Sequence, residues 1–241
     1  MIEVESLGKT YGAVAAVTEL SFTVARGDVL GLVGPNGAGK TTTLRSIAGI
    51  ARPSAGRIRI DGFDLAREPL EAKARLAFIP DEPHLFDYLT VEEHLRFTAL
   101  LYGVSDAGPR IDALLTELEL EAKRRALPDE LSRGMKQKLA IGCGLLHDPS
   151  ALLLDEPLTG LDPGAIRRMK RTIQARARAG SAVILSSHLL HLVEELCDRI
   201  VLIHGGRAVA AGPIAEIVAS RPELEGRGLE DVFLALTESP S

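Results

Sequence analysis

Positive charge is scarcer than negative charge in this sequence: 28 lysines and arginines face 33 aspartates and glutamates, for a formal net charge of −5. A nucleic-acid partner therefore gains no support from the overall electrostatic field. Cysteine is scarce as well, and the two cysteines, Cys143 and Cys197, match no metal-binding or disulfide pattern. Both lie in apolar, helix-like stretches, which indicates small core residues in a reducing compartment.

Long hydrophobic runs are absent too, as are internal repeats and low-complexity segments. No stretch approaches the ~18–20 apolar residues of a membrane-spanning helix, and the acidic start, MIEVESLGKT, lacks the apolar core of a signal peptide. Hydrophobic residues make up 46% of the 241 residues, which is ordinary for a soluble globular protein. We therefore expect a cytosolic chain that reaches a membrane only through a partner.

One glycine-rich stretch, GPNGAGKTT, carries the strongest chemical signal. It lies between an apolar strand-like run and a helix-like stretch, the context in which backbone N–H groups and a helix start cradle anionic phosphates. We expect Lys40 to reach the β- and γ-phosphates of a nucleoside triphosphate. An ordinary glycine-rich turn is the weaker interpretation, because the spacing is complete. The predicted phosphate-loop contacts are Gly34, Pro35, Asn36, Gly37, Ala38, Gly39, Lys40, Thr41 and Thr42.

Asp155 and Glu156 directly follow a second apolar run, Ala151–Leu154. Burying a carboxylate at the end of such a strand costs free energy unless the group binds a cation or takes part in a proton transfer. We expect Asp155 to hold Mg²⁺ together with the Thr41 hydroxyl. Glu156 is suited to polarise an attacking water. A helix-capping pair is the alternative, which the following Pro157 and the absence of a helix there disfavour.

Two further side chains have a position that favours a functional role. His188 follows the apolar run Ala182–Leu185, at the sheet edge where ligands of open α/β sheets bind, although a lone histidine is more often structural. Tyr11 precedes the phosphate loop, and an aromatic ring there can stack on adenine. A plain turn tyrosine is an equally good interpretation.

The middle of the chain has a different pattern, since no strand signal appears from Pro83 to Asp148. This predicts an all-helical insert in an α/β core. Within it the motif LSRGM, Leu131–Met135, opens a helix to about Leu146 with Ser132 as a plausible N-cap. The free N–H groups of that helix start are a second anion-binding surface, far from the first in sequence.

Taken together, these motifs resemble the ATP-binding subunits of ABC transporters over nearly the whole chain. GPNGAGKT resembles their Walker A motif, LLLDEP their Walker B motif, LSRGM their signature loop and TGLDP, which contains Asp162, their D-loop. His188 resembles the switch histidine, and Tyr11 falls where the adenine-stacking aromatic lies. The resemblance implies a P-loop NTPase (RecA-like) core with N-terminal antiparallel strands. The implied parts are a core of residues 1–80 and 149–215, a helical subdomain of residues 81–148, and a C-terminal helical extension of residues 216–241.

The resemblance also implies a mechanism with ATP and Mg²⁺ in a head-to-tail dimer, whose second ATPase chain is identical or related. Glu156 and His188 would be catalytic, and each ATP would also contact the other chain's signature loop. The residues implied in that contact are Ser132, Arg133, Gly134 and Met135.

Three residues depart from the usual family pattern. The signature has Arg133 and Met135 where glycine and glutamine are usual, and IPDEP places Asp81 where glutamine is usual. We expect Asp81 to contact Mg²⁺, since a carboxylate is a hard oxygen ligand. The alternative is that Asp81 points to solvent and caps a turn.

The expected function is that of an ATPase subunit that powers a separate integral membrane permease, bound at the cytoplasmic side of the membrane. The motif LEDVFL near the C-terminus resembles the exporter branch. An importer subunit often carries an extra regulatory domain, for which this chain is too short. A soluble ABC-type ATPase acting on ribosomes or DNA usually fuses two cassettes, and a non-hydrolysing regulatory cassette is disfavoured by the intact motifs.

Overall fold

Two β-sheets form the centre of the computed structural model, which describes residues 1–220 and 228–238. The strands are β1 (Ile2–Tyr11), β2 (Val14–Val24), β3 (Val29–Val33), β4 (Ala55–Ile60), β5 (Phe63–Asp64), β6 (Leu76–Ile79), β7 (Ala151–Asp155), β8 (Ala182–Ser186), β9 (Arg199–His204) and β10 (Arg207–Pro213). The smaller sheet is antiparallel, with the order β2-β1-β4-β5. The larger sheet has the order β10-β9-β3-β8-β7-β6, and its pairs are parallel except for the β9–β10 hairpin.

Helices connect and cover these sheets. They are α1 (Lys40–Ile47), α2 (Pro69–Lys73), α3 (Val91–Leu101), α4 (Ala107–Glu117), α5 (Arg133–Leu145), α6 (Pro163–Arg178), α7 (Leu190–Leu196), α8 (Ile214–Ala219) and α9 (Leu229–Glu238). In the part of the chain that the structure describes, no helix combines the length and apolarity that crossing a bilayer requires.

Alternate residues of the central strands feed two hydrophobic clusters on opposite faces of the larger sheet. In β7, Leu152 and Leu154 belong to one cluster, whereas Ala151 and Leu153 belong to the other. Because both faces are covered, such strands appear in the sequence as continuous apolar runs rather than as alternating patterns. The predicted α/β class with an N-terminal antiparallel sheet is confirmed.

Between β6 and β7 the chain forms helices and no strand. The sequence TVEE, Thr90–Glu93, predicts a capping box, and helix α3 begins there. The Glu93 N–H donates to Thr90 Oγ1 at 3.3 Å, and the Thr90 N–H donates to Glu93 Oε2 at 2.8 Å. The apolar stripe of α4, Ile111, Leu114 and Leu115, is buried. The division of the chain into a core, a helical subdomain and an extension stays a prediction.

The two N-terminal strands are longer than the sequence predicts. In the sequence, alternation of apolar and polar residues predicts strands over Ile2–Leu7 and Leu20–Val24, but β1 runs on to Tyr11 and β2 begins at Val14. Ser6 and Glu19 adopt positive φ values of 47° and 51°, and the β1–β2 register shifts around Leu7. Bulges of this kind interrupt the alternation of side chains, which explains why the pattern seemed to end early.

The C-terminal part gives a mixed outcome. The amphipathic pattern of Gly228–Leu234 predicts a short helix, which is present as α9 with Leu229 and Val232 buried. Residues 221–227 and 239–241 of the predicted extension lie outside the described residues. The short helices α2 and α8 were not predicted.

Both cysteines occupy apolar surroundings, as expected. Cys197 is buried, and Cys143 packs against the same hydrophobic cluster. Burial raises the pKa of the Cys143 thiol to about 11 and that of the Cys197 thiol to about 12. Neither thiol is therefore ionised near neutral pH, so neither is a good nucleophile or metal ligand there.

Candidate active site

The glycine-rich loop lies between β3 and α1, at the carboxyl end of the larger sheet. Helix α1 begins at Lys40, with Gly39 as its N-cap in a left-handed conformation (φ 109°). The loop borders a cavity of about 250 Å³. The lining residues are Ala16, Pro35, Asn36, Gly37, Ala38, Gly39, Lys40, Thr41, Thr42, Asp81, Asp155 and Glu156.

Two of the loop's glycines are required by close backbone contacts. A Cβ atom on Gly34 would lie 2.3 Å from the Ile203 carbonyl oxygen, and one on Gly39 would lie 2.6 Å from the Ala16 carbonyl oxygen. Gly37 has a positive φ of 81° but open space around it. The loop is therefore held against β9 on one side and β2 on the other, which fixes the direction of its N–H groups.

Lys40 is only 7% exposed and folds back over the loop. Its Nζ donates to the Gly34 carbonyl at 2.6 Å and to the Pro35 carbonyl at 3.3 Å. Burial lowers the pKa of Lys40, while the nearby charges of Glu156 and Asp155 oppose that shift. The ammonium group thus lies inside the loop, facing two carboxylates.

Asp155 ends β7 and is 2% exposed. The register of β7 and β8 sets it opposite Ser186, whose Oγ donates to Asp155 Oδ1 at 2.5 Å. This bond orients the carboxylate and leaves its other oxygen available to a ligand. Sequence reasoning missed Ser186, and the only signal for it is its place at the end of the strand beside Asp155.

Glu156 has a positive φ of 49°, an unusual conformation for a residue other than glycine. Its N–H donates to the Ser186 carbonyl at 3.1 Å, which supports this conformation. His188 Nδ1 lies 2.9 Å from Glu156 Oε2, although the two groups are not aligned as a hydrogen bond. The structure therefore brings the two predicted catalytic side chains together at one edge of the cavity.

The donors around the cavity fit Mg²⁺ if phosphates complete the coordination. Thr41, Asp81 and Asp155 all line it and offer oxygen atoms. Within residues 1–220 and 228–238, no cluster of three or more histidine, cysteine, aspartate or glutamate side chains could hold a metal alone. Mg²⁺ usually binds one or two carboxylates together with substrate phosphates and water.

Comparisons with known proteins decide the family. A family model described as ABC transporter matches residues 17–159, more than half of the chain. The chain belongs to the ABC transporter family. As a member of that family it binds ATP and is an ATPase, as the sequence predicts.

Individual relatives of the ABC family agree in both sequence and fold. The chain is 40% identical over 221 residues to a Nod factor export ATP-binding protein I from Paraburkholderia xenovorans, covering 91% of this chain and 73% of the relative. A solved ATP-binding subunit of an ABC transporter has a TM-score of 0.93 and 37% identity, covering 98% of this chain and 99% of that one. A dimeric ATP-binding cassette bound to ADP and Pi has a TM-score of 0.82 and covers 88% of this chain and 98% of that one. At 23% identity, this last likeness shows the fold alone.

The ABC signature loop lies outside the P-loop cavity of its own chain. Ser132 is the N-cap of α5, and its Oγ accepts a hydrogen bond from the Met135 N–H at 3.3 Å, as predicted for a cap. Gly134 faces Leu161, since a Cβ atom there would meet its side chain at 3.3 Å. None of Ser132, Arg133, Gly134 and Met135 is among the residues that line the cavity.

The remaining predicted residues occupy distinct positions. Asp162 caps α6, accepting a hydrogen bond from the Ala165 N–H at 2.9 Å, and this bond lowers the pKa of its carboxyl group. Tyr11 lies at the end of β1, 48% exposed, with Lys9 Nζ 4.6 Å from its ring centroid. The cavity is lined by Ala16 and not by Tyr11, so adenine stacking stays a prediction.

The loop geometry gives a matched pair of variants. Gly37→Ala and Gly39→Ala both place a side chain at a positive φ, which costs about 1–2 kcal/mol. Gly39→Ala should lose clearly more free energy of unfolding, because its Cβ atom also meets the Ala16 carbonyl oxygen. Urea unfolding of the nucleotide-free proteins measures the difference. Equal losses would show that contact with Ala16 does not constrain the loop.

Proposed function

We propose that this chain is the ATP-hydrolysing subunit of an ABC exporter and that it powers a separate integral membrane permease as one half of an ATPase pair. The observation that carries the proposal is that the P-loop cavity is lined by none of the four residues Ser132–Met135 at the start of the signature helix, although that helix start offers N–H groups to an anion. A second chain placed head to tail would bring each P-loop to the other's signature helix. The partner chain is identical or closely related.

The catalytic step is the attack of water on the γ-phosphorus of ATP, which forms a new P–O bond while the bond from the γ-phosphorus to the β–γ bridging oxygen breaks, so that ADP and inorganic phosphate leave. The P-loop N–H groups and Lys40 hold the triphosphate, and Glu156 polarises the water, with His188 positioned against its carboxylate at 2.9 Å. Mg²⁺, held by Thr41, Asp155 and Asp81, would neutralise charge on the phosphates. Ser186 keeps the Asp155 carboxylate in a fixed orientation by its hydrogen bond.

In the dimer the signature residues complete the site of the other chain. The N–H groups at the start of α5 and the Ser132 hydroxyl would approach the γ-phosphate, where a helix start favours negative charge. Arg133, Gly134 and Met135 belong to the same surface. Asp162 would lie at the interface as part of the D-loop, and Tyr11 would stack on adenine.

A permease partner is supported by an exposed apolar surface beside the active site. A groove of about 660 Å³ opens next to Asp81 and reaches α3. Several of the large apolar side chains that line it are exposed to water: Leu101 is 70% exposed, Ile50 64% and Phe86 56%. Contiguous exposed apolar side chains of this kind mark interaction sites. Docking of an integral membrane protein there would hold the chain at the cytoplasmic face of the membrane.

The direction of transport is inferred from relatives and from the C-terminus. The relative from Paraburkholderia xenovorans is named as an export ATP-binding protein. The residues LEDVFL lie in α9, whose Leu229 and Val232 are buried. An importer subunit is the second candidate. A soluble ATPase acting on nucleic acid is disfavoured by the net charge of −5.

We expect Glu156→Gln to bind ATP normally and to lose about 10²–10⁴-fold in turnover, because the water-polarising base is removed. The variant should accumulate as an ATP-bound dimer in size-exclusion chromatography. Glu82→Gln, the same change on an exposed neighbour of Asp81, should keep wild-type activity. Wild-type turnover in Glu156→Gln would exclude Glu156 as the base.

The permease proposal predicts that the chain co-purifies with one integral membrane protein from detergent-solubilised membranes of its native host. Leu101→Glu should abolish this association, because it places a charge among the apolar side chains that line the groove. Leu70→Glu, which changes a leucine that is 79% exposed on α2, should not. Mass spectrometry identifies the partner. Equal retention by both variants, or a partner without several spanning helices, would contradict the proposal.

A further inference from the structure

Two residues that depart from the usual family pattern contact each other. Arg133, at the start of the signature helix, donates from Nη2 to Asp81 Oδ1 at 3.2 Å, across 52 residues of sequence. The family usually has glycine and glutamine at these positions, a pair that carries no charge. The chain therefore replaces two neutral residues by an ion pair at the same place.

A second side chain of the same helix holds the same loop. Gln137, one turn after Arg133 and 3% exposed, donates from Nε2 to the Pro80 carbonyl at 3.3 Å. Residues four apart on a helix lie on the same face. One face of α5 thus binds the two consecutive residues that follow β6, through a partly buried hydrogen bond to Pro80 and a more exposed ion pair with Asp81.

Arg133 also contacts the D-loop of its own chain. A Cβ atom on Gly160 would lie 3.4 Å from both Cδ and Nε of Arg133, so the stem of the arginine lies over this glycine. The positive φ of Gly160, 76°, keeps the D-loop backbone turned beside it. Arg133 consequently connects the signature helix, the loop at Asp81 and the D-loop.

The ion pair between Arg133 and Asp81 lies where negative charge is in excess. Asp81, Asp155 and Glu156 line the cavity with Lys40 as the cation among them, so a triphosphate meets more negative than positive charge. Arg133 lies against the outermost of the three carboxylates. Pairing with Arg133 reduces the repulsion between Asp81 and a nucleotide that arrives without metal.

We propose that Arg133 is a positioning residue that holds and neutralises Asp81 until metal-bound nucleotide replaces it as the partner of that carboxylate. Release of Asp81 then leaves the hydrogen bond from Gln137 to the Pro80 carbonyl as the remaining contact of this helix face with the loop. This inference rests on the proposed contact of Asp81 with Mg²⁺.

The expected effects are modest, because the Arg133 side chain is 57% exposed and that of Asp81 is 44% exposed. Exposed ion pairs are typically worth well under tenfold in an equilibrium constant. The informative measurement is therefore whether the effect of changing Arg133 on ATP affinity depends on the presence of the Asp81 carboxylate. A double-mutant cycle isolates this dependence.

The test measures equilibrium binding of ATP in EDTA and with saturating Mg²⁺ for wild type, Arg133→Gln, Asp81→Asn and the double variant. In EDTA, Arg133→Gln should weaken binding by about two- to fivefold, since it leaves Asp81 unpaired near the phosphates. In the Asp81→Asn background the same change should have no such effect. With Mg²⁺ the weakening should disappear, and Arg133→Lys should behave like wild type in both conditions.

Lys136→Gln is the matched control, since it removes one positive charge from the first turn of α5 without touching Asp81. Lys136→Gln should change the affinity for ATP in EDTA by the same small factor in the wild-type and Asp81→Asn backgrounds. Equal weakening by Arg133→Gln in both backgrounds would show that Arg133 attracts phosphate directly and would overturn the proposal. No weakening in either background would overturn it too. Whether the wild-type protein binds ATP tests the proposed function. The double-mutant cycle tests only the coupling between Arg133 and Asp81, so the two claims can fail separately.

Discussion

The site depends on the register between β7 and β8. This register places Asp155 opposite Ser186, so that one hydroxyl fixes the buried carboxylate and the backbone of the same serine supports Glu156. His188, two residues further along, then reaches the Glu156 carboxylate. A slip of one residue would turn every side chain of the strand to the opposite face and would separate these groups. Burial of both sheet faces prevents such a slip, since the alternating residues fill two different hydrophobic clusters.

The phosphate loop follows from the same sheet. β3 lies beside β8 and delivers Gly34 to the edge at which Asp155 and Glu156 stand. Close contact with the Ile203 and Ala16 carbonyl groups leaves no space for side chains at Gly34 and Gly39. Lys40 is buried beside the acids and bonded to the loop's own carbonyl groups. When a triphosphate binds, its charged oxygen atoms would replace these neutral carbonyl groups as the acceptors of the Lys40 ammonium, and hydrogen bonds between two charged groups are stronger.

Much of this could be predicted because the informative patterns are local. The strand–loop–helix at Gly34–Thr42, the capping box at Thr90 and the N-cap at Ser132 are each encoded within a few residues, and the structure has them where the sequence places them. The bulges in β1 and β2 were missed, because positive φ values at Ser6 and Glu19 break the alternation on which strand prediction depends.

Other features could not be predicted because they depend on residues far apart in sequence. The bond from Ser186 to Asp155 spans 31 residues, and the ion pair between Arg133 and Asp81 spans 52. In the sequence, Arg133 and Asp81 appear as two unrelated departures from the family pattern. Only the fold shows that they are neighbours, and it places the ion pair between the signature helix and the P-loop cavity.

We propose that each ATP site is built from two chains, and a complementation experiment tests this proposal most directly. Ser132→Arg blocks the signature surface and Lys40→Ala removes the phosphate ligand, so each protein alone should be inactive. A mixed dimer contains one site whose P-loop and signature surface are both intact. ATPase activity should therefore appear on mixing and be greatest near equal amounts of the two proteins. Absence of activity in a mixture whose mixed dimers are seen by native mass spectrometry would contradict the account.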